Sequence, residues 1–350
     1  ILGFLYFCII QSMKKNILYI CGSRNQTTML HTISKNLPGY NHYFTPYYAD
    51  GIERIAAKLG LLDFSVLGGE FYRQAIEYFT ANNLELDFRG EGREYELVVI
   101  CSDLIIPKNI RDKRIVLVQE GMTDPENLAY KAVKLLGIPG YFGGTAATGL
   151  SDKYEVFCVA SEGYRELFIK KGVKPEKIIV TGLPNFDNCA ANLNNDFPHR
   201  GYALVCTSDA RETYKAENRK KFILKAKSLS EGKQMIFKLH PNENLSRATR
   251  EINKYAPGSL IFHKGKTDEM IANCDILITH YSTVVYVGIV LNKKVHSSFD
   301  LDELKRLAPI QNNGASAGII ASECLKLMGK HPAKSHQENL ENVQIAGLTA

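Results

Sequence analysis

The stretch YEVFCVASEGYRELFIKKGVKPEKIIVTGLP, residues 154–184, decides the fold. Residues 154–160 form a short apolar run of strand type. Ser161 then stands as an N-cap, and across residues 161–171 Tyr164, Leu167 and Phe168 fall on one helical stripe. Residues 177–181, KIIVT, repeat the strand form. Apolar strands without polar alternation, joined through a helix, are buried on both faces, and that means a parallel sheet.

The same alternation runs outward in both directions. Towards the N-terminus, strand candidates lie at 17–21, 95–101 and 114–118, with helix-compatible sequence at 27–36. Towards the C-terminus, residues 186–201 break the rhythm with FDNCAANLNNDFPHRG, a stretch rich in Asn, Asp and Pro. Strand candidates resume at 202–206, 234–239, 259–263, 275–279 and 294–297, with helical patterns at 216–229, 245–254, 267–273 and 284–291. A last helix at 315–328 can pack back across the junction. The expectation is an α/β protein of two doubly wound, Rossmann-like parallel-sheet domains facing each other across a cleft. Residues 13–188 form the N-terminal domain, 189–201 the linker and 202–328 the C-terminal domain. Residues 1–12 read as a non-native or disordered leader before Met13, and 329–350 as a flexible tail. In such sheets ligands bind beyond the carboxyl ends of the strands, so the chemistry belongs on the loops that follow them.

Composition limits the partners. In 350 residues, 45% hydrophobic and 23% charged, there is enough apolar sequence for one large or two medium cores, and a disordered chain or a small disulfide scaffold is excluded. A net charge of +6 suits a small anionic ligand better than a nucleic acid. None of the 8 cysteines is spaced C-x-x-C, so they read as buried thiols in a reducing cytoplasm. Residues 1–10 are apolar but about half the length of a membrane span.

Several chemistries are missing from the sequence. CGSRNQ follows the first strand where a dinucleotide enzyme would carry G-x-G-x-x-G, and there is no Walker lysine loop, G-x-S-x-G or H-E-x-x-H. Asp300 and Asp302 open a helix and read as helix-start acids rather than a metal clamp. No cofactor or metal is expected.

Three loops after strands carry candidates. In LVQEGMTDPEN (117–127), Glu120 stands at a strand tip beside Gln119, and Gly121 allows a close turn. A partly desolvated carboxylate there suits a general base, although a plain loop acid explains it equally well. In FKLHPNENL (237–245), His240 and Lys238 can face a phosphate and Pro241 ends the strand, while a turn role is the simpler reading of His-Pro. In CDILITHYSTVVYVGIVLNKKV (274–295), His280 precedes Ser282 and Thr283, whose hydroxyls and helix-start amides make an anion seat or an ordinary cap.

At these residues the sequence resembles the GT-B superfamily of nucleotide-sugar enzymes. SEGYRELFIKKGVKPEKIIVTGLPNFDN (161–188) is similar to the segment before that superfamily's interdomain linker. Bacterial sialyltransferases and polysialyltransferases carry an acid-acid-Gly motif, a His-Pro motif and a Ser-Ser/Thr motif. Gln119-Glu120-Gly121, His240-Pro241 and Ser282-Thr283 match them, with Gln119 replacing the first acid. CDP-glycerol glycerophosphotransferases have a similar second half, but here His280 stands where they carry Asp, and their His-Gly motif is not evident. The non-hydrolysing UDP-N-acetylglucosamine 2-epimerase is loosely similar in VQEGMTDPENLAYK (118–131) and SDARETYKAENRKKF (208–222), yet Tyr286 or Val287 falls where its acids would be.

The resemblance implies a metal-independent, inverting glycosyltransferase of surface glycan biosynthesis, using a CMP-sugar in preference to a UDP-sugar. Glu120 would be the base. Lys238, His240, Pro241, His280, Ser282 and Thr283, with Thr207 and Ser208 at the head of the 208–222 loop, would hold the nucleotide phosphate. Gly22, Ser23, Arg24, Gly121, Gly144 and Thr145 would line the acceptor side. The expected partners are a nucleotide-sugar donor and a glycan or lipid-linked acceptor, with no nucleic acid. A peripheral contact with the inner face of a membrane through basic patches such as residues 219–227 is a further expectation, against the plainer reading of an exposed helix face.

Overall fold

A computed structural model describes residues 14–63, 65–212, 216–280 and 282–329. The leader assigned to residues 1–12 and all but the first residue of the 329–350 tail lie outside this description. The chain divides into two compact units, one of residues 1–187 with 312–350 and the other of residues 188–311.

The first unit is built on a six-stranded parallel sheet of order β2-β1-β3-β4-β5-β6. Its strands are β1 (Asn16–Cys21), β2 (Asn41–Pro46), β3 (Leu97–Ile100), β4 (Arg114–Val118), β5 (Val156–Val159) and β6 (Ile178–Val180). Its helices are α1 (Arg24–Ser34), α2 (Gly51–Lys58), α3 (Gly69–Ala81), α4 (Leu128–Leu136) and α5 (Glu162–Lys171). Ser161 caps α5 by accepting the Tyr164 amide, and Gly172 ends it in the left-handed region, so the 154–184 stretch folds as strand, helix, strand.

β2 is absent from the sequence reading. NHYFTP is polar at its start and ends in proline; it is the edge strand of the sheet, paired along its length with β1 and on its other side bridged only at Phe44 to Leu86, so it tolerates both.

The second unit has a five-stranded parallel sheet of order β11-β10-β7-β8-β9. It comprises β7 (Tyr202–Cys206), α6 (Arg219–Leu229), β8 (Met235–Lys238), α7 (Leu245–Tyr255), β9 (Leu260–Phe262), α8 (Thr267–Asn273), β10 (Cys274–Thr279), α9 (Val284–Val290), β11 (Lys294–His296) and α10 (Leu301–Leu307). Its core joins Val205, Phe237 and Ile278 of the sheet to Ile223 and Ala226 of α6 and Ile252 of α7.

The last described helix, α11 (Ser316–Leu327), belongs to the first unit. Ala317, Ile320 and Cys324 pack with Tyr19, Met29 and Ile33 in that unit's core. The Ser316 amide donates to Asp187 Oδ2 at 2.7 Å and Asn312 Nδ2 to the Thr181 carbonyl at 3.0 Å. The first unit is therefore assembled from two separate pieces of chain: the last helix packs back across the junction, so it belongs with the first unit rather than within a 202–328 domain.

The described cysteines are buried thiols, with no disulfide among the described residues. Burial pushes Cys101 and Cys158 well above the ordinary thiol range, so they behave as small apolar residues. Among the described residues no helix is long and apolar enough to cross a membrane.

Candidate functional site

In the first unit the site starts at the tip of β4. The Gln119 amide extends the ladder by donating to the Cys158 carbonyl at 2.9 Å. Its side chain is buried: Oε1 accepts from the Ala160 amide at 2.9 Å, and Nε2 donates to the Gly121 carbonyl at 2.7 Å. One group must accept and the other donate, which a neutral carboxamide does and a carboxylate does not. The glutamine where the resembled motif has an acid is thus a structural tie that fixes the turn presenting Glu120.

Glu120 reaches back to the turn between β1 and α1. Ser23 Oγ donates to Oε1 at 2.5 Å and Gln26 Nε2 to Oε2 at 2.6 Å, while Asn25 Nδ2 donates to the Glu120 carbonyl at 3.3 Å. Ser23 is also the N-cap of α1, accepting the Gln26 amide. Gly22 leaves room for this arrangement, since a Cβ there would stand 2.3 Å from Gln26 Oε1. Arg24 is exposed at the start of α1. Each carboxylate oxygen of Glu120 has a neutral donor and retains acceptor capacity, and among the described residues no Lys or Arg is paired with it. Asn185 fastens the same turn from the end of the unit, donating to Asn25 Oδ1 at 2.5 Å.

The acceptor-side glycines join this loop indirectly. Residues Gly140–Ala147 form a 3-10 run interrupted at Gly144, whose φ of 58° and ψ of −155° suit only glycine. Thr145 Oγ1 donates to Asp124 Oδ2 and accepts from the Asp124 amide, both at 2.8 Å, tying the run to the loop of Glu120 and the buried Gly121. Asp103 escaped the sequence reading. It is buried, accepts the Gly149 and Ser151 amides, and burial holds its carboxyl above the usual range.

In the second unit, His240 follows β8. The Asn242 amide donates to its Nδ1 at 3.3 Å, which leaves the proton of a neutral imidazole on Nε2. Burial lowers its pKa and the carboxylate of Asp209, 3.5 Å from Nδ1, opposes that shift. Lys238 is buried and lowered by burial, and its ammonium donates to the Leu239 carbonyl at 3.0 Å and the His263 carbonyl at 3.1 Å, leaving one hydrogen. The Pro241 carbonyl faces His263 Nε2 at 3.3 Å.

Thr207 and Ser208 are turned towards buried acids. Thr207 Oγ1 donates to the Glu243 carboxylate and accepts the His240 amide at 3.3 Å; Ser208 Oγ donates to Glu217 Oε2 at 2.9 Å. Arg219 lies between these acids, with Nη1 2.7 Å from Glu243 and Nε 2.5 Å from Glu217. This buried network supports the His240 loop from beneath. Glu243, like Asp103, has no signal in the local sequence, and Arg219, expected as the start of an exposed basic stretch 219–227, is instead buried between two acids.

His280 and the pair Ser282 and Thr283 follow β10. β7 lies between β10 and β8, with Cys206 in register with Thr279 on one side and Lys238 on the other, so the strand ends that lead to His280 and His240 stand about two strand spacings apart, roughly 10 Å. Thr283 precedes α9 without capping it, and among the described residues neither its hydroxyl nor that of Ser282 has a partner. The capping role that competes with an anion seat is therefore not taken up. His280 bonds Ser298 through Nδ1, stacks on Phe222 with centroids 5.9 Å apart, and lines a cavity of about 270 Å³ with Lys221, Lys225, Thr279 and His296. Tyr281 lies outside the described residues.

No family model matches the chain. No curated protein sequence matches it either. Solved structures do. A UDP-N-acetylglucosamine 2-epimerase is 13% identical with a TM-score of 0.53, covering 92% of this chain and 99% of its own. A UDP-GlcNAc 2-epimerase from Neisseria meningitidis, bound to UDP-GlcNAc, is 12% identical with a TM-score of 0.54, covering 89% and 100%. A variant of the wall teichoic acid polymerase TagF is 15% identical with a TM-score of 0.48, covering 94% and 90%. At such identities the epimerase likeness is one of fold: two Rossmann-like units of GT-B type.

Proposed function

We propose that the chain is a metal-independent, inverting glycosyltransferase acting on a nucleotide-activated sugar, with a CMP-sugar preferred over a UDP-sugar. The observation that carries this is the state of Glu120, a carboxylate fixed at a strand tip by two neutral donors and paired with no described cation. Such a group is oriented and still able to take a proton. On this reading the acceptor hydroxyl gives its proton to Glu120 while its oxygen attacks the anomeric carbon from the side opposite the nucleotide. The bond from that carbon to the phosphate oxygen breaks, and its electron pair leaves with the nucleotide.

The second unit would stabilise that leaving charge. His240 Nε2 carries a donor proton, and Ser282 and Thr283 offer hydroxyls with no described partner. Thr207 and Ser208 would act indirectly, holding the His240 loop against Glu243 and Glu217, and Lys238 would add charge from below. His280 would contribute from the neighbouring cavity. Gly22, Ser23, Arg24, Gly121, Gly144 and Thr145 would shape the acceptor side. The acceptor is a glycan or a lipid-linked saccharide, met in the cytoplasm at the inner face of the membrane. That a structure of this fold holds UDP-GlcNAc supports a nucleotide-linked donor.

A 2-epimerase is the second reading, favoured by the similar structures. Against it, Tyr286 and Val287 are buried and apolar at the positions where the resemblance would require acids. Thermal melting of the full chain with CMP, CDP and UDP in turn tests the proposal, because a ligand of the folded state raises the midpoint. The largest shift is expected with CMP. No shift with any of them removes the nucleotide reading. A UDP-sugar converted by the enzyme alone, followed by NMR, would establish the epimerase instead.

A further inference from the structure

The second unit holds a cavity of about 270 Å³ between helix α6 and the ends of β10 and β11. That is just below the range for drug-sized ligands, about 300–1,000 Å³, and more than a bare inorganic anion fills. Its walls are tied together. The His280 carbonyl accepts the Ser298 amide and the Ser297 hydroxyl, both at 3.2 Å, and the His280 ring bonds Ser298 and stacks on Phe222. These bonds fix the shape of the cavity within the fold itself.

Four groups lining it have binding capacity to spare. Lys221 and Lys225 are exposed, four residues apart on one face of α6, and neither is in an ion pair among the described residues. Thr279 Oγ1 and His296 Nε2 are buried and have no hydrogen-bond partner among the described residues. Buried polar groups are normally satisfied, and each one left unpaired costs about 1–3 kcal/mol. Like charges four apart on a helix also oppose each other. Packing alone explains neither feature.

No carboxylate offsets the two lysines. None of the residues lining the cavity is acidic. The acids whose charge reaches its imidazoles are Glu217, acting on His280, and Glu231, acting on His296. Glu217 is bonded by Ser208 and Arg219, and Glu231 by Lys294. Lys225 lowers the pKa of both imidazoles, so its charge stands near each. Two cations beside two neutral polar groups match a phosphate dianion, whereas a carboxylate would neutralise only one of the charges. The apolar walls, Phe222, Leu229 and Ile278, suit an organic body.

We propose that this cavity binds a small organic phosphomonoester, with its phosphate at Lys221, Lys225, Thr279 and His296 and its body against Phe222. Of the residues assigned to the nucleotide, only His280 lines it; Lys238, His240, Ser282 and Thr283 do not. It is therefore a second site, and it does not rest on the transferase reading. It gives the basic stretch 219–227 a small anionic ligand in place of a membrane surface.

The test is calorimetric titration of the full chain with phenyl phosphate, inorganic phosphate and benzoate. Phenyl phosphate should bind about tenfold or more tightly than either of the others, because it alone supplies both a dianion and an apolar body. Its affinity should fall about tenfold or more in Lys221→Gln/Lys225→Gln and, separately, in Thr279→Val. Both lysines are exposed, so the glutamine variant should melt like the parent, and it decides alone if the valine variant does not fold. His240→Ala should leave phenyl phosphate affinity unchanged, and the glutamine variant should keep the parent's melting response to nucleotides. Failure of this site is thereby read apart from failure of the transferase reading. No binding of phenyl phosphate by the parent, or equal binding by the glutamine variant, overturns the proposal. So does an equal loss in His240→Ala, since the probe would then sit in the proposed nucleotide seat.

Discussion

Ser23 donates to the Glu120 carboxylate across 2.5 Å, linking the turn after β1 to the tip of β4. The same hydroxyl oxygen accepts the Gln26 amide at the start of α1. One side chain thus caps a helix and aims a carboxylate. Ser23→Ala should cost about 1 kcal/mol of stability from the lost cap, read by urea unfolding. It should also lower transfer activity more than nucleotide affinity, because the proposed phosphate ligands His240, Ser282 and Thr283 belong to the second unit.

Gln119→Glu restores the acid of the resembled motif. Here it should destabilise, because the buried carboxylate cannot donate to the Gly121 carbonyl. A loss of about 2–3 kcal/mol is expected in urea unfolding, with no gain in turnover. A variant as stable as the parent would show that the amide is not a structural tie.

His240, His280 and His296 are all held below the ordinary histidine value, in each case chiefly by burial. The unfolded chain therefore binds protons at a higher pH than the folded one. Stability is fully present above about pH 6.5 and is lost as pH falls through the depressed folded values. The melting midpoint should drop as pH falls below about 6.5, and His240→Gln should reduce that drop. An unaltered pH profile in this variant would mean that His240 does not contribute.

Arg219 is buried between Glu217 and Glu243. Arg219→Met leaves Glu217 without the guanidinium at 2.5 Å and Glu243 with only Arg211 at 3.9 Å, and should cost about 3–5 kcal/mol, seen as an earlier denaturant midpoint. Replacing all three residues by apolar ones should be much milder, which a stability series would show.

The sequence was most legible where burial on both faces imposed apolar runs. β4 (Arg114–Val118) and β7 (Tyr202–Cys206) have the bounds that their composition predicts. Helix α2, with no buried residue, imposes no such pattern and escaped notice, as did the polar edge strand β2. Glu120 was readable as the residue at a strand tip. Its clamp was not, because Gln26 and Glu120 are 94 positions apart and only the sheet order β1-β3-β4 brings them together. The hydroxyls of Thr207 and Ser208 read as phosphate ligands, but their bonds run to acids that local pattern could not connect to them.

On the proposed mechanism Glu120 takes the acceptor's proton and the second unit holds the nucleotide. Its most direct test compares Glu120→Gln with the parent, using whichever nucleotide sugar corresponds to the largest melting shift. Binding of the nucleotide, by calorimetry, should agree within about twofold, while nucleotide release in the presence of acceptor should fall about 10²-fold or more. Release at the parent's rate would mean that Glu120 is not the base.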